Sequence, residues 1–179
     1  MKIAMLLTAF ILAGFQANAS DGNVIEKLKD SKISLLDGIQ MAERTSGPVT
    51  SAKFELDDNG KLSLSIYTAP QGLDTPAETN QLTEISFDPT VTPFAPQAEV
   101  FKDKEHIARA SVHLTLMQLS RLSLSQIIHE ALETRPGVAY SVANPVVRDG
   151  QPVADVAIVN RAGQSGVVTI NMRTGRVIR

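Results

Sequence analysis

The chain has 179 residues, no cysteine and no tryptophan, and carries 17 Lys+Arg against 19 Asp+Glu. Without cysteine there is no disulfide framework and no thiolate chemistry, so stability rests on burial alone. Charges of both signs are interspersed, which excludes a field strong enough to favour nucleic acid or an anionic membrane.

The first element in chain order is a targeting segment. Lys2 precedes an apolar run over residues 3–15, broken only by Thr8 and Gly14, and Ala17-Asn18-Ala19 follows as a small-x-small site. This layout predicts a secretory signal peptide over residues 1–19, cleaved after Ala19. The run is shorter than the roughly 18 to 20 residues a spanning helix needs. No cysteine follows it, so it is not the leader of a lipid-anchored protein. The rest, residues 20–179, carries 16 Lys+Arg against 19 Asp+Glu. It is expected to be exported, periplasmic or secreted, with no later membrane span. Some 160 residues suffice for one moderate domain or two small ones sharing a core.

A short helix is expected over residues 23–29. Ser34 then caps a second helix, with Asp37 three residues on and Leu35, Ile39 and Ala42 at helical spacing. Gly47 ends it. Next, Ala52, Phe54 and Leu56 alternate with Lys53 and Glu55. Asp57-Asp58-Asn59-Gly60 forms a hairpin turn, and Leu62, Leu64 and Ile66 alternate with Ser63, Ser65 and Tyr67. A period of two with polar partners means a sheet with one buried and one wet face. Residues 84–87 supply a third strand. Residues 69–80 read as an exposed loop, and residues 89–96, with three prolines, as irregular chain. Residues 105–119 predict a helix with Ile107, Ala110, Leu114 and Met117 on one side. Ser123-x-x-Gln126 is a capping box, followed by Leu124, Ile128, Ala131 and Leu132, and Pro136-Gly137 stops that helix. Strands are expected at residues 138–147, 152–160 and 167–172, with a turn at Asp149-Gly150. Thr174-Gly175 leads into residues 176–178.

The same unit is written twice. Ser34, Leu35, Ile39, Ala42 and Thr45 recur as Ser123, Leu124, Ile128, Ala131 and Thr134. After a one-residue gap, Gly47, Ser51 and Gly60 recur as Gly137, Ser141 and Gly150. Identities at caps, helix faces and turns mark a repeated packing unit rather than a repeated active site. The expected fold is α+β with two repeats, residues 20–100 and 101–179, each a capped helix on a roughly three-stranded antiparallel sheet. The apolar Val112, Leu114, Leu116 and Met117 suggest that the two repeats pack together through the central helix.

The runs Ile33-Ser34-Leu35 through Ala42 to Gly47, and Leu122-Ser123-Leu124 through Ala131 to Pro136-Gly137, resemble the opening helix of a PepSY domain. Ile170-Asn171-Met172-Arg173-Thr174-Gly175-Arg176-Val177 is similar to that domain's closing strand. The first copy departs from the pattern, with Asp88-Pro89-Thr90 where Thr-Gly is expected. The resemblance implies a small binding protein of the cell envelope, one that modulates a peptidase or engages another partner protein. The architecture is also similar to that of the tandem-repeat β-lactamase inhibitor proteins, in which two helix-plus-sheet units present one sheet surface. Fold does not fix function.

The residues themselves point away from catalysis. His106 and His113 are seven apart, too far for two ligands of one ion on a helix, and His129-Glu130 lacks the second histidine of a zinc-protease motif. There is no Gly-x-Ser-x-Gly elbow, and Ser34 and Ser123 are occupied as caps. Gly163-Gln164-Ser165-Gly166 is a turn without the strand-to-helix context of a phosphate loop. The acidic turn at Asp57-Asp58 lacks the further ligands of a calcium loop. No cofactor, metal or catalytic residue is assigned, and the chain is read as a non-enzyme.

Two readings follow. In the first, the wet sheet face meets a protein partner, with Lys53, Glu55, Ser63, Ser65, Tyr67 and Tyr140 as contact candidates. Arg173 and Arg176, with Arg179, add a basic end open to the same partner. In the alternative, the chain is a small-ligand carrier or sensor, with a pocket between helix and sheet or between the repeats.

Overall fold

The computed structural model describes residues 19–76, 79–101 and 104–178. The expected signal peptide lies outside the described residues except for Ala19, and Arg179 lies outside them too. The fold is α+β. Its helices are α1 (Ala19–Lys27), α2 (Leu35–Ser46), α3 (Lys104–Gln118) and α4 (Leu124–Thr134), with a 3-10 turn at Leu28–Asp30. Its strands are β1 (Val49–Leu56), β2 (Leu62–Thr68), β3 (Thr83–Phe87), β4 (Gln97–Val100), β5 (Val138–Val142), β6 (Val146–Arg148), β7 (Gln151–Val159), β8 (Ser165–Asn171) and β9 (Val177–Ile178).

Both predicted caps form. Ser34 Oγ accepts from the Asp37 amide at 3.1 Å. Ser123 Oγ accepts from the Gln126 amide at 3.3 Å, while Gln126 Oε1 accepts from the Ser123 amide at 2.8 Å, completing a reciprocal box. Gly47 ends α2 at φ 93°, and a side chain there would meet the Ala69 carbonyl. Arg135 rather than Gly137 is the C-cap of α4. Gly137 is needed for another reason: any Cβ on it would run into the Val159 carbonyl oxygen.

The strands do not form two small sheets. They form one antiparallel sheet in the order β4-β3-β2-β1-β5-β7-β8-β9, with β6 pairing on β7. The expected three-stranded sheets are corrected on two counts. The strand expected over residues 138–147 breaks at Ala143-Asn144-Pro145, because proline offers no amide to the ladder. The chain after the three prolines returns as β4 beside β3, a strand too short and polar to announce itself. The centre of the sheet is the β1–β5 pair, where Ala52 faces Val142 and Lys53 faces Ser141.

The main core lies between α2, α4 and one sheet face. Leu35, Ile39 and Ala42 of α2 and Leu124, Ile128 and Ala131 of α4 meet Ala52, Phe54, Leu64, Ile66, Val142, Val156, Ile158 and Ile170. Burial on this scale, at about 25 cal/mol per Å² of apolar surface, is what a cysteine-free chain relies on. The central helix packs against the first half through Ala110 and Leu114, and Met117 reaches the main core. Leu114, Leu116 and Met117 are buried, but Val112 is 57% exposed. Leu114 packs with Ala69, Leu82 and Ala110 in a small satellite cluster. The two halves are joined by the short β1–β5 strand pairing and by the core they share. A hydrogen bond from Ser125 Oγ on α4 to Glu43 Oε2 on α2, 3.0 Å, ties the helix layer.

Candidate functional site

Alternation along β1 to β4 sends one set of side chains to the helices and the other to the opposite face. That opposite face presents Ser51, Lys53 and Glu55 from β1, Ser63, Ser65 and Tyr67 from β2, Glu84 and Ser86 from β3, and Gln97 and Glu99 from β4. The register sets Tyr67 between Ser51 and Glu84, Ser65 between Lys53 and Ser86, and Glu99 opposite Glu84. The five first-half candidates, Lys53, Glu55, Ser63, Ser65 and Tyr67, are therefore one contiguous patch.

The patch is fixed by its own contacts. Ser65 Oγ donates to Glu55 Oε1 at 2.5 Å, and the second oxygen of Glu55 holds the Lys53 ammonium. Ser65 is buried beneath its neighbours, whereas Lys53, Glu55, Ser63 and Tyr67 are half-exposed. Tyr67 stacks on Phe101, with ring centroids 5.7 Å apart and planes 10° apart. Burial, the charges of Glu84 and Glu55, and a hydrogen bond to Glu84 push the Tyr67 phenol well above the usual tyrosine range. Tyr67 is thus a neutral, propped aromatic ring bordered by carboxylates. Such a ring offers apolar area and a hydroxyl at little cost in side-chain entropy.

The remaining candidates lie elsewhere. Tyr140 is 4% exposed and belongs to the core, at the irregularity in the β5–β7 pairing between Ala139 and Ser141. The extra residue of a bulge changes the face to which a side chain points, which strand alternation cannot anticipate. Arg173 and Arg176 are exposed at the β8–β9 turn, at the opposite end of the sheet from Tyr67.

The same sheet face changes character in the second half. Val153, Ala157 and Val159 occupy it, with exposed Val138, Val146, Val167 and Ile178 around them. Its polar centre is Asp155, which receives both terminal nitrogens of Arg148, one at 2.8 Å, and the Thr169 hydroxyl at 2.7 Å. The carboxylate beside it holds the Arg148 guanidinium above its ordinary range. The wet face expected of each sheet is therefore wet mainly in the first half.

A groove of about 430 Å³ opens between the end of α2, the loop after β2 and the α3–α4 connection. Glu43, Val49, Leu73, Met117, Arg121 and Leu122 line it. Of the histidines, His129 is exposed and pairs with Glu133 at 3.3 Å along α4. The side chain of His106 is outside the described set. Among the described residues no cluster of three or more His, Asp or Glu could hold a metal ion. Nor is any described helix long and apolar enough to cross a membrane.

Glu99 and Phe101 escape the sequence reading because the short, polar β4 that brings them to the patch carries no strand pattern. Glu84 escapes it because nothing local sets the third strand beside Tyr67. The Arg148–Asp155–Thr169 cluster escapes it as well. A signal for that was present: a lone carboxylate inside the apolar run of residues 152–159 requires a partner.

No family model matches the chain, and no curated protein matches it. Among solved structures, the crystal structure of a candidate lipoprotein from Clostridium difficile 630 is similar at 14% identity, over 88% of this chain and 97% of that one, with a TM-score of 0.42. A likeness at that level says nothing of what this chain binds.

Proposed function

We propose that the chain is an exported, non-catalytic binding protein of two PepSY-like copies whose polar sheet face receives a protein partner. An envelope peptidase is the partner class that the resemblance implies. The first copy would comprise α1 and α2 with β1 to β4, and the second α3 and α4 with β5 to β9. Matching caps at Ser34 and Ser123, and matching hairpin glycines at Gly60 and Gly150, support that division. The leader-like residues 1–19 support export to the periplasm or beyond.

The observation that carries the reading is the patch around Tyr67. Its side chains are held by Glu55, Glu84 and Phe101 before any partner arrives, so binding would order little. A fixed, half-exposed tyrosine within a polar rim is the arrangement of an interface anchor. The test uses residues 20–179 immobilised against envelope extract, with Tyr67→Ala and Lys53→Glu as comparison variants. A protein retained by the native chain and lost with both variants supports the reading. Retention unchanged by both variants, or no retention at all, counts against it.

The groove between the two halves favours a second reading, a small-ligand carrier. Glu43 and Arg121 give it charges of both signs over an apolar floor of Val49, Leu73, Met117 and Leu122. A rise in melting temperature with an amphiphilic ligand, abolished by Leu122→Glu, would support it.

A further inference from the structure

The sheet is open at both ends, with β4 at one edge and β9 at the other. All four residues of β4 and both of β9 are exposed, and their outer backbone groups have no strand beside them among the described residues. The halves that end in these edges differ in charge. Residues 20–100 hold six Lys+Arg against thirteen Asp+Glu, whereas residues 101–179 hold ten against six. The edges follow suit. Glu99 on β4 lies directly opposite Glu84 on β3, while Arg173 and Arg176 flank β9.

We propose that β4 of one molecule pairs with β9 of the next, so that the chain associates head to tail with a second copy of itself. Charge selects this pairing over the alternatives. Two β4 edges would bring four carboxylates together, and two β9 edges would gather arginines, each costly when like charges face one another. Only β4 on β9 sets opposite charges side by side.

The faces also agree. Glu99 lies on the polar face, as does Ile178 through its pairing with Thr169, and Arg176 is two residues from Ile178. On the other face Val100 lies opposite Thr83 and Val177 opposite Ile170, and each valine is 37% exposed. One edge therefore offers a carboxylate on the polar face and a valine on the helix face. The other offers a guanidinium and a valine on the same two faces. The contact is heterologous and leaves a free edge at each end, so it can grow beyond a dimer. With only a few paired residues it is weak and sensitive to salt.

Sedimentation velocity on residues 20–179, from about 10 µM to about 1 mM in low salt, tests the proposal, with the same series at about 0.5 M NaCl as control. The weight-average sedimentation coefficient should rise with concentration in low salt and fall back to that of the monomer in high salt. Glu99→Arg and Arg176→Glu should each weaken association by about fivefold, both side chains being exposed. An equimolar mixture of the two variants should associate again, since each supplies the edge that the other lacks. A monomer at every concentration in low salt overturns the proposal. So does association that neither charge reversal changes, because the contact then lies on another surface.

Discussion

Ala52 on β1 lies directly opposite Val142 on β5, and both are buried. The offset that carries Ser51 to Ser141 also carries Ala52 to Val142, so each residue faces its own counterpart in the internal repeat. The flanking pair obeys the same rule, since Lys53 faces Ser141, the counterpart of Ser51. A strand pairing antiparallel with its own counterpart is a local two-fold relation, as at the interface of an isologous dimer. On the proposed two-copy reading, the copies meet as subunits would, within one chain and one sheet.

A shared sheet and a shared core should unfold together. Each half carries one tyrosine, Tyr67 or Tyr140, and the chain has no tryptophan. In Tyr67→Phe and Tyr140→Phe variants the remaining tyrosine reports on one half alone. Urea unfolding followed by tyrosine fluorescence and by far-ultraviolet circular dichroism should give coincident curves in both variants. Separate midpoints would mean that the β1–β5 pair does not couple the halves.

The second-half helix should depend on its reciprocal cap and its buried face. Ser123→Ala removes the acceptor for the Gln126 amide and should cost about 1 kcal/mol. Ile128→Ala leaves a cavity at a fully buried site and should cost about 2–5 kcal/mol. Val138→Ala, at a half-exposed position, should fall within about 0.5 kcal/mol of the native chain. Chemical-denaturation midpoints at constant slope measure all three.

Arg148 and Thr169 should matter through Asp155. Asp155 is 8% exposed and relies on both for its hydrogen bonds. Arg148→Ala leaves a buried carboxylate short of its cation and should cost about 1–3 kcal/mol. Thr169→Val should cost less, about 1 kcal/mol. Because all three residues share one network, the double variant should depart from additivity when unfolding free energies are compared.

Tyr67 should make the fold sensitive to alkali. Its folded proton affinity lies above that of an unfolded tyrosine, so its contribution is fully present below the ordinary tyrosine range. As pH rises above that range, the unfolded chain releases the phenolic proton first, and stability falls. Tyr67→Phe should flatten this part of the decline relative to the native chain. Absorbance at about 295 nm in the Tyr140→Phe background should place phenolate formation above the ordinary value near 10.

The local grammar was legible and the long-range geometry was not. Ser34, Ser123, the 3.6-residue stripes and the turns at Gly60 and Gly150 each act within a few residues, and each appears where its spacing puts it. Lys53, Glu55, Ser63, Ser65 and Tyr67 share a face because strand period alone decides that. Tyr140 departs from the strand period because of the pairing irregularity at Ala139/Ser141. The merger of two sheets into one depends on the meeting of β1 and β5, some ninety residues apart, and no local pattern encodes it. Phe101 was invisible for the same reason: its partner, Tyr67, is distant in sequence.

On the proposed function, a partner docks on the polar face around Tyr67. Backbone amide chemical-shift mapping of the isotope-labelled chain, titrated with the captured partner, tests it most directly. Saturable shifts are expected at residues 51–55, 63–67 and 84–86, and are expected to be absent in Tyr67→Ala at the same partner concentration. Shifts gathered instead on α2, on α4 or along the Glu43–Arg121 groove would contradict it.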